Sequence, residues 1–165
     1  MIIENGPHVS AVIDRVVGCK NVFSKNPGIK VLSDDQDAKG SREGGLTVAQ
    51  GYLTRFTKID AIFAINDPQA IGTDLAARQQ QRTGIIITSV DGAPDIEAAL
   101  KDPAAKQIQA SASQDPFFMA RRAVQVGVSI LDGKKPASTV ELLPSKLVTR
   151  DNIAEYKGWT SDRSQ

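Results

Sequence analysis

The sequence is poor in the residues that most often carry catalysis. A single cysteine, Cys19, among 165 residues rules out an internal disulfide framework, and a single histidine, His8, cannot build a His-rich metal centre. Aromatic side chains make up only 5% of the chain, and no apolar run approaches the roughly 20 residues that a membrane helix needs. Neither sign of charge dominates. Twenty Lys+Arg against nineteen Asp+Glu leave a net charge of +1, so no basic excess exists to neutralise a phosphate backbone, and nucleic acid is not the expected partner. The phosphate fingerprints G-x-x-x-x-G-K-S/T and G-x-G-x-x-G are absent, as is the G-x-S-x-G elbow of a serine hydrolase. The opening residues, Met1 to Gly6, lack the basic start and apolar stretch of a secretion signal, and their strand-like Met-Ile-Ile suggests that further chain precedes them.

What is present is ordinary globular composition, 41% hydrophobic and 24% charged, patterned as alternating strands and helices. Ile2-Ile3 leads through Gly6-Pro7 to a helix with Ser10 as its expected N-cap and Val12, Val16, Cys19 and Phe23 at helical spacing. Ile29 to Leu32 reads as the next strand, followed by an acidic loop, Asp34 to Asp37. Ser41 opens a helix whose buried face carries Leu46, Ala49, Leu53 and Phe56. Ala61 to Ile65 is a continuous apolar strand, after which Asp67 is the expected cap and Pro68 occupies a first helical turn. Ile85 to Val90 repeats that plan as a buried strand, with Pro94 opening a short helix. A strand at Ile108 to Ala112 precedes a long helix from Pro116 to Leu131, and Thr139 to Val148 has strand character. This alternation predicts an α/β fold of three layers, a parallel sheet flanked by helices on both faces.

In such a sheet, ligands bind beyond the carboxyl ends of the strands. The polar residues there are Asn66, Asp91 and Gln114, with the Asp34–Asp37 loop beside them. These are amides and carboxylates without a nucleophile–base pair, so no catalytic residue is assigned. His8 reads as an exposed loop residue and Cys19 as a small buried hydrophobe. The acids of the 34–37 loop come from one stretch, not from converging strand ends, so they read as solvated and neither a metal nor a cofactor is expected. Asn66 and Asp91 have a second reading, as caps of the helices or turns that they precede.

Five segments, taken in order, resemble one known family. Arg15-Val16-Val17-Gly18 fits an early R-x-x-G, and Ala64 to Gly72 fits A-x-N-D-x-x-A-x-G. Val90-Asp91-Gly92-Ala93-Pro94-Asp95 is similar to G-x-D-G-x-P-D/E, and Ala110 to Pro116 to A-x-x-x-Q-x-P. Leu147 to Asn152 is similar to the ending L-v-T-k-e-N. The pattern is that of the sugar-binding proteins of bacterial ABC importers, the ribose-binding-protein type of type I periplasmic binding protein, over its C-terminal portion. Such proteins have two α/β lobes that close on the ligand, and the closed form docks on a membrane permease.

The resemblance implies that residues 1–113 form one ligand-binding lobe. Residues 114–165 would then hold a hinge crossing, with a C-terminal helix and a tail strand that would normally join the missing second lobe. It implies a monosaccharide ligand, a permease partner and a periplasmic parent protein. It also implies ligand contacts from Arg15, Asn66, Asp91 and Gln114, a set matched to hydroxyls that both donate and accept. An aromatic platform that the family often places after its second strand is absent, since Gly40 falls near that position. The helix at 116–131, without its usual lobe, is expected to support a homodimer or a segment swap. Two other functions compete: the sugar-effector domain of a lactose-repressor-like regulator, which would need a DNA-binding helix pair, and a flavodoxin- or receiver-type enzyme, which would need a phosphate loop or converging acids.

Overall fold

The computed structural model describes residues 1–162, so Arg163 to Gln165 of the expected 114–165 segment lie outside the described residues. Its elements are β1 (Ile2–Glu4), α1 (Ser10–Phe23), α2 (Arg42–Arg55), β2 (Ala61–Ala64), α3 (Asp67–Gln79), β3 (Ile86–Asp91), α4 (Pro94–Lys101), β4 (Ile108–Ser113), α5 (Pro116–Leu131) and β5 (Lys146–Thr149), followed by a short 3-10 turn at Ile153–Glu155. The strands form one sheet in the order β1-β2-β3-β4-β5, parallel from β1 to β4, with β5 antiparallel on the far edge. The α/β architecture is as the sequence predicts.

Two apolar clusters flank the sheet. The larger joins Ile2, Ile62, Ile87 and Ile108 of the strands to Ala49 and Leu53 of α2, Ala70 and Ala76 of α3, and Ile96 and Leu100 of α4. On the opposite face Ile3 and Ile65 pack against Val12 and Val16 of α1, with Cys19 and Phe23 partly buried beside them. Burial pushes the Cys19 thiol up to about 11, so it is protonated at neutral pH and behaves as a hydrophobe.

Several expectations need correcting. Residues 29–32 form no strand: the stretch that follows meets the β1 segment only through two isolated bridges, Ile2 with Ser33 and Asn5 with Asp37, on either side of the loop at 34–36. Ser10 is the first helical residue of α1, and its N-cap, Val9, makes no side-chain capping bond. The helix after β2 is capped by Asn66, whose Oδ1 accepts from the Gln69 amide, while Asp67 turns inward. β3 is not buried throughout: Ile87 and Ser89 are, whereas Thr88 and Val90 are half-buried and Ile86 is 53% exposed. Strand structure in the tail is confined, among the described residues, to Lys146–Thr149, and this strand does not belong to a second lobe as expected: it pairs antiparallel with β4 and completes the edge of this sheet.

The tail is anchored by Arg150. Its guanidinium donates to the carbonyls of Leu100, Ala99 and Asp102 at the end of α4, and to those of Ala105 and Ile108 ahead of and within β4. A planar cation that satisfies helix-terminal carbonyls complements the helix dipole and fixes β5 on the sheet edge.

Candidate functional site

The loops leaving β2, β3 and β4 converge at one end of the sheet, where α3 and α4 also begin. Arg15, on α1, reaches this rim across the sheet end. Its Nη1 donates to the Ile65 carbonyl at 2.8 Å and its Nη2 meets Asp91 Oδ1 at 2.9 Å. The same Asp91 oxygen accepts from Gln114 Nε2 at 2.6 Å. Arg15, Asp91 and Gln114, far apart in sequence, are therefore one linked polar unit, with side-chain exposures of 20% for Arg15 and 15% for Asp91. Both bonds fall on one carboxylate oxygen, so neither engages Oδ2 of Asp91 or Oε1 of Gln114.

Asn66 borders this unit without bonding to it. Its Oδ1 caps α3 and its Nδ2 donates to the Gly40 carbonyl at 2.9 Å, so the capping reading holds, and one N–H remains for another acceptor. Gly40 itself has φ 64 and presents backbone, not an aromatic ring, to the rim. The acidic loop nearby is engaged locally: Asp34 pairs with Lys20, Asp35 accepts from Ser33, and Asp37 accepts from the Lys39 amide. His8 is exposed. A polar hollow of about 850 Å³ opens on the β5 side, lined by Ser113, Gln114, Lys146, Asn152 and Tyr156 among others. Of the four expected residues only Gln114 lines it; Arg15, Asn66 and Asp91 lie on the open rim beyond.

The turn that carries Asp91 is strained and tightly held. Asp91 has φ 138, a region costing about 1–3 kcal/mol for a residue with a side chain. Gly92 follows at φ 72, where an added Cβ would approach Ser113 Cβ to 2.5 Å. Every backbone polar group of the turn has a partner. The Gln114 amide donates to the Asp91 carbonyl, Tyr156 Oη to the Gly92 carbonyl, the Gly92 amide to Ser111 Oγ, and the Ala93 amide to Asp67 Oδ2. At about 0.5–1.5 kcal/mol net for each neutral bond, and more for the one to the Asp67 carboxylate, these are of the size that offsets the strain.

Sequence reasoning missed Asp67, Ser89, Ser111, Tyr156 and Trp159. Asp67 is fully buried and accepts Ser89 Oγ at 2.5 Å and Ser111 Oγ at 2.7 Å on Oδ1. Burial raises its carboxyl to about 6, against the opposing pull of these donors. The signal was available: a serine within each of two buried strands needs a polar partner. Trp159, the one tryptophan, donates Nε1 to the Gln114 carbonyl at 3.1 Å.

A model of the periplasmic binding protein domain matches residues 1–135. The ribose import binding protein of Bacillus subtilis is 32% identical over 148 residues, which are 90% of this chain and 46% of that protein. Among solved structures, an ABC transporter periplasmic solute-binding protein from Actinobacillus succinogenes with bound D-allose superposes with a TM-score of 0.86 at 25% identity, over 94% of this chain and 53% of that one. The Caulobacter myo-inositol binding protein bound to myo-inositol gives 0.80 at 28% identity, with the same coverage. This chain thus spans about half the length of these relatives. They are binding proteins, and nothing among them favours the regulator or enzyme readings.

Proposed function

The chain belongs to the periplasmic binding protein domain family, and from that membership we propose that it is a sugar-gripping lobe of the solute-recognition subunit of a bacterial ABC-type importer. The observation that carries this reading is the linked Arg15–Asp91–Gln114 unit on the rim, with donors on Arg15 and acceptors on Asp91 and Gln114. A sugar hydroxyl needs one of each. Asn66 contributes its remaining N–H at the edge of the same surface. The work is binding, with no bond made or broken. In the whole protein, closure of a second lobe completes the hydrogen bonds and excludes water, and the closed form is what a membrane permease receives, on the periplasmic side.

The division of the chain follows from the same reading. Residues 1–113 are the lobe that holds the rim, 114–165 carry the crossing and the tail, and α5 serves the second lobe. None of the sixteen residues of α5 is buried, and Phe117, Val124, Val128 and Leu131 recur along it at helical spacing, all exposed. On its own the chain then covers that stripe by self-association through α5.

A half-cleft makes only part of the contacts, so the isolated chain should bind sugars weakly but within reach of titration, with Kd of about 1–100 mM. The test is an NMR titration with D-ribose, D-allose and myo-inositol up to high millimolar concentration. Shifts confined to Arg15, Asn66, Asp91 and Gln114, and lost in Arg15→Ala, support the reading. No response to any of the sugars would overturn it, and micromolar binding would overturn the need for a second lobe.

A further inference from the structure

We propose that Asp67 is the positioning residue of the rim: its buried carboxylate ties the 91–93 turn to the two neighbouring strands and thereby holds Asp91 against Arg15. The inference rests on the sugar-cleft reading only for what Asp91 would grip. Asp67 is the point where four segments meet. It begins α3, receives the Ser89 hydroxyl from β3 and the Ser111 hydroxyl from β4 on Oδ1, and receives the Ala93 amide on Oδ2 at 2.7 Å. Ser111 in turn accepts from the Gly92 amide at 3.1 Å, so two consecutive amides of the turn depend on this one cluster.

The geometry explains why a carboxylate stands there. Three groups converge on the side chain: the Ala93 N–H, which can only donate, on Oδ2, and two serine hydroxyls, whose hydrogens turn toward the charge, on Oδ1. An asparagine offers the same shape without the charge: with its NH2 toward Ala93 it sets donor against donor, and with its NH2 toward the serines it reverses both hydroxyl bonds and leaves the Ala93 N–H a neutral, weaker acceptor. Released from that anchor, Asp91 no longer has a reason to keep φ 138, and in relaxing it swings its carboxylate away from Arg15 and Gln114. Other charged and titratable groups around Asp67 are Asp91 on β3 and Tyr156 after the 3-10 turn, with Arg15 on the far side of Asp91.

The test compares Asp67→Asn with Ile62→Val, a core change on β2 that touches neither the turn nor its anchors, in the whole chain and without sugar. NMR follows amide exchange at Gly92 and Ala93 and the Arg15 guanidinium signals, while Trp159 fluorescence follows the Gln114 carbonyl. Asp67→Asn should speed Ala93 exchange by about 100-fold or more beyond the change at β3 and β4 ladder amides, and move the Arg15 signals to their positions in Asp91→Asn. Ile62→Val should alter exchange only in step with global stability. Asp67→Asn behaving like Ile62→Val, with Arg15 unmoved, would overturn the proposal. If Asp67→Asn does not fold, Ser111→Ala decides: a faster Gly92 amide with displaced Arg15 signals supports the role, and unchanged signals overturn it. Because no sugar enters these readouts, the positioning role and the sugar reading can fail separately.

Discussion

Helices α3 and α5 begin alike and end in opposite circumstances. Each opens with a capping side chain and a proline in its first turn: Asn66 accepts from Gln69 ahead of Pro68, and Asp115 accepts from Phe118 ahead of Pro116. Yet nine of the thirteen residues of α3 are buried, and none of the sixteen of α5. The buried helix is the less greasy one, built on Ala, Gly and Thr with buried Asp and Gln, whereas α5 carries Phe117, Phe118, Val124, Val128 and Leu131 into the open. Caps define where a helix starts. Burial depends on whether a complementary surface faces it, and α2 provides one for α3 through backbone-to-backbone contact.

That contact is where the comparison breaks most violently. An added Cβ at Gly72 would lie 2.6 Å from the Leu46 amide and still closer to the Arg42 carbonyl oxygen; neither is the end of a flexible side chain that could move aside. Gly72→Ala should therefore force α2 and α3 apart and cost about 3 kcal/mol, visible as a lower denaturant midpoint. Retention of wild-type stability would mean that the two helices are not in close contact.

The same pair shows what could be read in advance. The starts of α3, α4 and α5 were legible because their signal is local, a proline in the first turn after an apolar strand. The 29–37 stretch was not, since it meets the β1 segment only through two isolated bridges. At the rim, the gathering of Arg15, Asp91 and Gln114 was legible through the family resemblance, which supplies contacts between residues as much as 76 positions apart. The inward turn of Asp67 was not. Asn66-Asp67-Pro68 offers two candidates for one cap, and the choice is settled by serines 22 and 44 residues downstream.

A second contrast sharpens the first in electrostatic form. α3 buries a carboxylate against its polar residues: Glu4, fully inaccessible, accepts from Thr73 and Gln69, and burial raises it from the usual 4.5 to about 8. Tyr52 of α2, also buried, is raised to about 12, chiefly by burial and in part by the charge of Glu4. Near α5 the ionic contact is the exposed Arg122–Glu141 pair. Between pH 4.5 and 8 the folded state holds the Glu4 proton that the unfolded chain has released. Stability should therefore fall as pH rises through that window, by up to about 1.4 kcal/mol per unit. Urea titrations across the range should show the slope, and Glu4→Gln should flatten it above pH 6, leaving the contribution of Asp67, raised to about 6, below that. Glu141→Gln should leave the slope in place, since an exposed pair is screened by solvent and salt.

Glycine on α5 inverts the outcome on α3. Nothing lies within 4 Å of a Cβ placed on Gly127, so Gly127→Ala should stabilise the helix by roughly 0.5–1 kcal/mol through propensity and a less flexible unfolded chain. A rise of a few degrees in Tm checks this; a fall would mean that α5 packs closely on something at that position.

The smallest effect on stability is expected where the apolar side chain is most exposed. Leu131 is 87% accessible, so Leu131→Glu removes almost no burial and should change the unfolding free energy by less than about 0.5 kcal/mol. Its effect on association should be far larger. If the stripe through Phe117, Val124, Val128 and Leu131 is what joins copies of the chain, a charge on Leu131 puts a desolvation cost into that contact. Sedimentation should then show the wild type moving from dimer toward monomer only on dilution, and Leu131→Glu monomeric throughout, with unchanged circular dichroism. A wild-type chain that stays monomeric at high concentration would remove α5 as a self-association surface, leaving the second lobe as the one surface for which its apolar stripe is suited.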